Sequence, residues 1–329
     1  MKIIQFRAPG PPSVLECLDV PVPEPKGGEV LIRAHAIGVG IPDVNIRAGT
    51  YAWMPPLPAI PGTELAGTIE KVGAGVNVRQ VGQRVYTTAR ERRHRGGHYV
   101  EYVAAPVEAT FVLPDSVDFD RAAALANYQV AYHILEDAVR PRRGETVLIY
   151  AAAGGMGNAL IDLAKVADLS VIGVVGGETK ARFARQLGAD HVIDRKHENV
   201  GKRIAEITGG RGVDLVIDPV GGPSIPGNIA LLAPCGTLVV YGGLGGKAQL
   251  DLQPTLRATK NSPAVRQFTI HTWDHLPEER GAGMRTLIDM LAAGKLNPRI
   301  HARLPLTEAV HAHQMLESGA VMGKLLLVP

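Results

Sequence analysis

The chain has 329 residues, 46% of them hydrophobic and 20% charged, with 38 glycines and a formal net charge of +3. This composition excludes a disordered or collagen-like polypeptide, and the length exceeds what one core organises, so two domains are expected. The small net charge points away from general nucleic-acid or membrane binding, and two cysteines, Cys17 and Cys235, can build neither a disulfide framework nor a multi-cysteine zinc site.

Taken in chain order, the short Ile3-Ile4 apolar patch is cut off by Arg7 and Pro9, so no signal peptide is expected. Short β-type runs follow, broken by Pro and Gly: 30–34, 67–72, 84–86 and 98–103. Their spacing predicts a compact, irregular β-barrel-like domain. The run Arg90, Arg92, Arg93, His94, Arg95 is a local basic cluster, which reads first as a solvated loop and alternatively as a patch for RNA. It lacks the interleaved aromatics that stack bases, so no nucleic-acid partner is expected.

Near Arg121 the texture changes to an Ala-rich helical pattern and then to alternating units. Strands are predicted at 146–151, 170–175, 191–194, 214–218 and 236–241, and helices at 157–167, 179–187 and 224–233. Such alternation is the signature of βαβ units and a parallel sheet. The apolar stretch 147–177 carries Asp162, Lys165 and Asp168, which a bilayer span does not accept cheaply, so a soluble cytoplasmic protein without membrane contact is expected. Helical patterns at 284–293 and 306–318 and a strand at 325–328 close the chain. The organisation predicted is one Rossmann domain inserted into a discontinuous β-rich domain.

The strongest local signal runs from Val147 to Gly157, a buried strand feeding a glycine-rich turn and then a helix. This arrangement holds a pyrophosphate, because glycines let backbone N–H groups approach and the helix dipole favours the anion. Against G-x-G-x-x-G, the three positions are Ala152, Gly154 and Gly157, and Gly155 and Met156 complete the candidate turn. The second strand ends at Val175 rather than at the acid that would bond an NAD ribose. Gly176 and Gly177 leave room for a 2′-phosphate, and Lys180 and Arg195 carry charge to neutralise it, which points to NADPH. Glu178 remains an alternative ribose ligand, as an NADH site would need. Gly242, immediately after the strand 236–241, joins the cofactor-side set.

Residues 43–49, Pro61–Gly67 with Val72-Gly73, 81–85, 151–157, 187–190, 212–222 and the terminal Gly323-Lys324 together resemble the zinc-independent quinone oxidoreductases. These are relatives of zeta-crystallin in the medium-chain dehydrogenase/reductase superfamily. The resemblance implies a doubly wound Rossmann sheet inserted in a GroES-like β-barrel catalytic domain, with boundaries at 1–121, 122–273 and 274–329. Where zinc-dependent members place a cysteine and two histidines, this chain has Gly40, Asn45 and Thr63, so no metal is expected.

Without that Lewis acid the chemistry implied is hydride addition to a quinone or an α,β-unsaturated carbonyl. An NADH-dependent or acyl-thioester enoyl reductase is the alternative within the class, and a zeta-crystallin-like RNA-binding or structural protein the alternative outside it. The family's common pocket Asn and Tyr fall on Gly40 and Asn45. Tyr51 matches a family tyrosine, and Tyr128 or Tyr132 is placed near the nicotinamide, so Tyr51 and Tyr128 are the candidate catalytic residues. Val130 stands where the family usually carries a threonine beside the nicotinamide ribose. A homodimer joined through the Rossmann sheet edge is also implied, with 267–272 as the candidate edge strand.

Overall fold

The computed structural model describes residues 1–329 except Arg93 and Gln249 and the side chain of Leu252. It opens with β1 (Lys2–Gln5), β2 (Glu16–Asp19), β3 (Glu29–Val39), α1 (Ile41–Ala48), β4 (Glu64–Val72), β5 (Arg84–Thr88), β6 (Tyr102–Pro106), β7 (Thr110–Val112), α2 (Phe119–Ala122) and α3 (Leu125–Tyr132). Next come β8 (Thr146–Tyr150), α4 (Gly155–Val166), β9 (Ser170–Val175), α5 (Glu178–Gln186), β10 (His191–Asp194), α6 (Val200–Thr208), β11 (Val213–Asp218), α7 (Ile225–Ala230), β12 (Leu232–Val240), α8 (Leu252–Thr259) and β13 (Ala264–Gln267). The chain closes with α9 (Pro277–Ala292), β14 (Ile300–Pro305), α10 (Ala309–Glu317) and β15 (Lys324–Val328). Two compact units result: Met1–Ala126 together with Leu276–Pro329, and the continuous Asn127–His275.

The continuous unit is a six-stranded, wholly parallel sheet in the order β10-β9-β8-β11-β12-β13. Its strands are apolar along their length because both faces are covered: Val147, Leu148, Ile149, Val171, Ile172, Val216, Ile217, Leu238 and Val239 are all fully buried. Strand order reverses between β8 and β11, which makes the carboxyl ends of these strands the place where a ligand is received.

The discontinuous unit is built on a seven-stranded sheet in the order β14-β15-β3-β4-β5-β7, with β6 pairing β3. β15, from the far end of the chain, lies between β14 and β3 and buries Leu325, Leu326 and Leu327 completely. α1 leaves β3 at Gly40 and stops at Gly49, whose left-handed φ of 75° lets its N–H return to the carbonyls of Asn45 and Ile46.

Several elements differ from the sequence expectation. The helix expected over 224–233 ends at Ala230, because β12 already starts at Leu232 and absorbs an irregular step at Cys235, whose φ is 61°. The strand expected at 98–103 is β6, shifted to Tyr102–Pro106. The N–H groups of Gly97, His98 and Tyr99 instead converge on the carbonyl of Pro61. The sheet edge is Ala264–Gln267 rather than 267–272, where residues 270–275 coil into a 3-10 turn. α6 was not anticipated; its Asn199 cap accepts from the N–H of Lys202.

Candidate functional site

At the end of β8, Ala151 adopts a left-handed φ of 53° and the N–H of Ala152 bonds back to Val174 on β9. The turn is thereby stitched to the neighbouring strand. α4 then begins at Gly155 with Gly154 as its cap, a residue without a side chain to cap the helix, and backbone donors at such a helix start suit an anion. Gly157 is obligatory: a Cβ there would stand 2.3 Å from the carbonyl oxygen of Ala152. Gly154 is less constrained, with its nearest neighbour at 3.4 Å. Gly155 and Met156 are half-buried on the same first turn, and Ala152 is fully buried beneath it.

At the end of β9, the N–H of Gly177 donates to Asp194 Oδ1 at 2.7 Å, which fixes the 176–177 turn to the end of β10. Asp194 also accepts from His197 Nδ1 at 2.7 Å and from the N–H of Lys196. The His197 hydrogen bond, with these amides, holds its carboxyl down to about 2. Arg195 and Lys196 are exposed and lean over Gly176: a Cβ on that glycine would lie 3.6 Å from Arg195 Nη2 and 3.6 Å from Lys196 Cε. Lys180 sits half-buried on the first turn of α5, while Glu178 pairs with Arg185 at 3.3 Å. Lys196 is absent from the sequence candidates, although a second cation directly after the third strand is a signal for it.

Gly242 follows β12, and a Cβ there would collide with the Pro219 carbonyl at 2.2 Å. This close approach binds the turn after β12 to the turn after β11. The latter is organised by the fully buried Asp218, which accepts from the N–H groups of Val220 and Gly221, from Ser224 Oγ and from Asn228 Nδ2. On α3, Val130 is half-buried, whereas Tyr128 is buried with its hydroxyl donating to Asp162 Oδ2 at 2.6 Å. Gln129 between them is fully buried with neither amide atom paired, a polar group that calls for a partner.

In the discontinuous unit, Tyr51 is half-buried just beyond α1, its N–H on the carbonyl of Asn45 and its ring 5.8 Å from that of Trp53. Beneath α1 lies a charged cluster. Asp43, fully buried, accepts from the N–H of Gly40 at 2.8 Å and from that of Gly62 at 3.1 Å, and burial pushes its carboxyl up to about 7. Glu64, equally buried, accepts from Lys324 Nζ at 2.5 Å, from Tyr86 at 3.1 Å and from the N–H of Ala126 at 2.7 Å. The Tyr99 hydroxyl faces Asp43 and meets His313 Nε2 at 3.1 Å. Among the described residues, no three His, Cys, Asp or Glu side chains converge as a metal site.

The basic run is engaged locally. Arg92 donates to the carbonyls of Gly97 and of Ala104 on β6, and Arg95 to those of Ala89 and Arg90, so both guanidinium groups are engaged by nearby backbone. Arg93 lies outside the described residues.

Two family models match the chain: an alcohol dehydrogenase GroES-like domain over residues 26–115 and a zinc-binding dehydrogenase over residues 187–327. The chain is 36% identical to the quinone oxidoreductase of Pseudomonas aeruginosa across 100% of its own length and 99% of that protein. It is 33% identical to the quinone oxidoreductase of Rattus norvegicus across 100% and 98%. The crystal structure of Escherichia coli quinone oxidoreductase complexed with NADPH superposes with a TM-score of 0.89 at 31% identity, each chain covered completely.

Proposed function

Because this chain belongs to the quinone oxidoreductase family of the medium-chain dehydrogenase/reductase superfamily, we propose that it reduces quinones or α,β-unsaturated carbonyls with NADPH and without a metal. The observation that carries this reading is the pairing of Gly176 with Arg195 and Lys196: where an NAD site needs an acid, this chain offers open backbone flanked by two cations. An acid does follow nearby, but Glu178 is directed to Arg185. The E. coli relative complexed with NADPH supports the same cofactor.

The residues fit that cofactor. Residues 122–273 form the cofactor domain in this reading, and 1–121 with 274–329 the catalytic domain. The first turn of α4, with Ala152, Gly154, Gly155, Met156 and Gly157, would hold the pyrophosphate, and Arg195, Lys196 and Lys180 the 2′-phosphate. Val130 and Gly242 would approach through backbone, and the unpaired amide of Gln129 would gain a partner. When bound, the reduced nicotinamide supplies a hydride. The substrate oxygen then gathers negative charge, and Tyr51, half-buried beside Asn45, is the group proposed to donate to it. Tyr128 is the weaker candidate because its hydroxyl already serves Asp162.

The exposed edge β13 supports a homodimer formed by pairing sheets edge to edge. Two free thiols, Cys17 and Cys235, support residence in a reducing cytoplasm. The deciding experiment follows NADPH and NADH oxidation by purified protein against a panel of quinones and enones. Turnover restricted to NADPH supports the reading, and turnover with NADH alone, or with neither, sinks it.

A further inference from the structure

Lys324 is almost fully buried, and its ammonium rests on the equally buried Glu64. Asp43 lies within reach of its charge: the ammonium bears on the Asp43 carboxyl electrostatically, and both Lys324 Nζ and Asp43 Oδ2 would lie 3.8 Å from a Cβ placed on Gly40. Two glycines make room for this arrangement. A Cβ on Gly38 would fall 2.5 Å from Glu64 Oε1, and one on Gly323, whose φ is 78°, would fall 2.2 Å from the carbonyl of Arg299. Gly323 lets the chain enter β15 so that the N–H of Lys324 reaches that same carbonyl at 2.7 Å.

Desolvating two carboxyls and an ammonium costs more than apolar side chains of the same volume would, so the cluster is a poor device for stability alone. What it does provide is orientation. Glu64 is held by three donors, and Asp43 spends one oxygen on Gly40 and the other on Gly62. Those two backbone segments carry α1 and Thr63, and α1 in turn carries Asn45, on whose carbonyl Tyr51 is hung.

We infer that Lys324 is a positioning residue: its ammonium holds Glu64 directly and draws the Asp43 carboxyl electrostatically, and through Asp43 it fixes the backbone at Gly40 and Gly62 that supports the substrate side of the protein. The kinetic part of this inference rests on the proposed reduction of quinones, while its structural part does not.

The test compares full-length wild type with Lys324→Met, Lys324→Arg and the double variant Glu64→Gln/Lys324→Met, which removes the ion pair as a whole and leaves Asp43 as the one carboxyl of the cluster. Three readouts are taken: amide exchange at Gly40 and Gly62, steady-state reduction of 1,4-benzoquinone, and NADPH affinity by nicotinamide fluorescence. In Lys324→Met and in the double variant, exchange at both glycines should rise about tenfold or more. In both, kcat should fall on the order of 30-fold while NADPH affinity stays within about twofold. Lys324→Arg, which keeps the charge, should recover most of the loss. Unchanged exchange at Gly40 and Gly62 in the double variant would overturn the inference, as would Lys324→Arg behaving like Lys324→Met. Loss of kcat and NADPH affinity in parallel would do the same, by marking general unfolding. If wild type turns over no quinone or enone, the functional reading fails, and the exchange data still decide the role of Lys324.

Discussion

Arg195 reaches back from the end of the third parallel strand to lie over Gly176 at the end of the second, close enough that a side chain on that glycine would touch the guanidinium at 3.6 Å. A phosphate seated on this turn would meet the Arg195 fork and Lys196 together. Each charge-assisted hydrogen bond of this kind is worth about 1.5–3 kcal/mol, so Arg195→Ala should weaken NADPH binding roughly 10- to 100-fold and leave NADH binding unchanged. Fluorescence titration with both cofactors checks this, and equal losses for the two would remove Arg195 from the phosphate site.

The glycine-rich turn separates two substitutions that look alike in the sequence. Gly157→Ala forces a methyl group to within 2.3 Å of a carbonyl oxygen, which costs about 1–3 kcal/mol of stability and displaces the first turn of α4. Gly154→Ala meets nothing closer than 3.4 Å at a φ of −80°. Calorimetry should therefore show a lowered Tm and lost NADPH binding for Gly157→Ala, and near-native behaviour in both respects for Gly154→Ala.

Acid sensitivity follows from two buried imidazoles. Burial, aided by Arg92 for His98 and by Arg47 for His313, drives their pKa values down to about 3 and about 4. The unfolded chain takes up those protons as pH falls below 6.5 and the folded chain does not, so stability drops on acidification. Asp43 runs the other way, since a carboxyl raised to about 7 keeps in the folded state a proton that the unfolded chain releases near 3.8. Two protons against one, neither side complete across the window, leave a net loss of about 1 kcal/mol per pH unit between pH 6 and pH 4.5 from these three groups. Urea unfolding across that range should give a slope one proton smaller for His98→Asn, and identical slopes would mean that His98 is not held neutral.

The sheet edge offers a test of assembly. All four residues of β13 are exposed, and among the described residues the strand pairs on one side, with β12. Val265→Glu places a charge on that edge, which natural proteins use to block pairing. Sedimentation should show a wild-type dimer that becomes a monomer in Val265→Glu, with NADPH binding retained. A wild type that sediments as a monomer ends the edge-pairing proposal.

The βαβ series was legible because its strands are buried on both faces and so read as continuous apolar runs between glycine and helix signals; β8, β9 and β10 fall within a residue or so of their expected limits. α6 is legible in hindsight, since Val200, Ile204 and Ile207 recur at i, i+4 and i+7 behind the Asn199 cap, but nine residues with Gly201 among them are easily taken for a loop. β12 was misplaced because Leu232 and Ala233 fit a helix or a strand equally well and the kink at Cys235 leaves no pattern. The cofactor turn is local, so its residues stand together in the sequence. The Asp43, Glu64 and Lys324 cluster is not, since its ion pair joins positions 260 residues apart through a sheet whose order no periodicity reveals.

The seating of β15 between β14 and β3 governs how this protein can be made. A ribosome delivers the chain from its first residue at on the order of 5–20 residues per second, and domains fold as they emerge. Residues 127–275 are contiguous, so the parallel-sheet unit has everything it needs before synthesis ends. The other unit waits, with β3 lacking a neighbour and the Lys324 partner of Glu64 not yet synthesised, until the last leucines leave the exit tunnel. A chain without β15 would thus carry an intact parallel-sheet unit and, in its other unit, an open sheet and a stranded buried acid, and cellular quality control would meet it as a half-finished molecule.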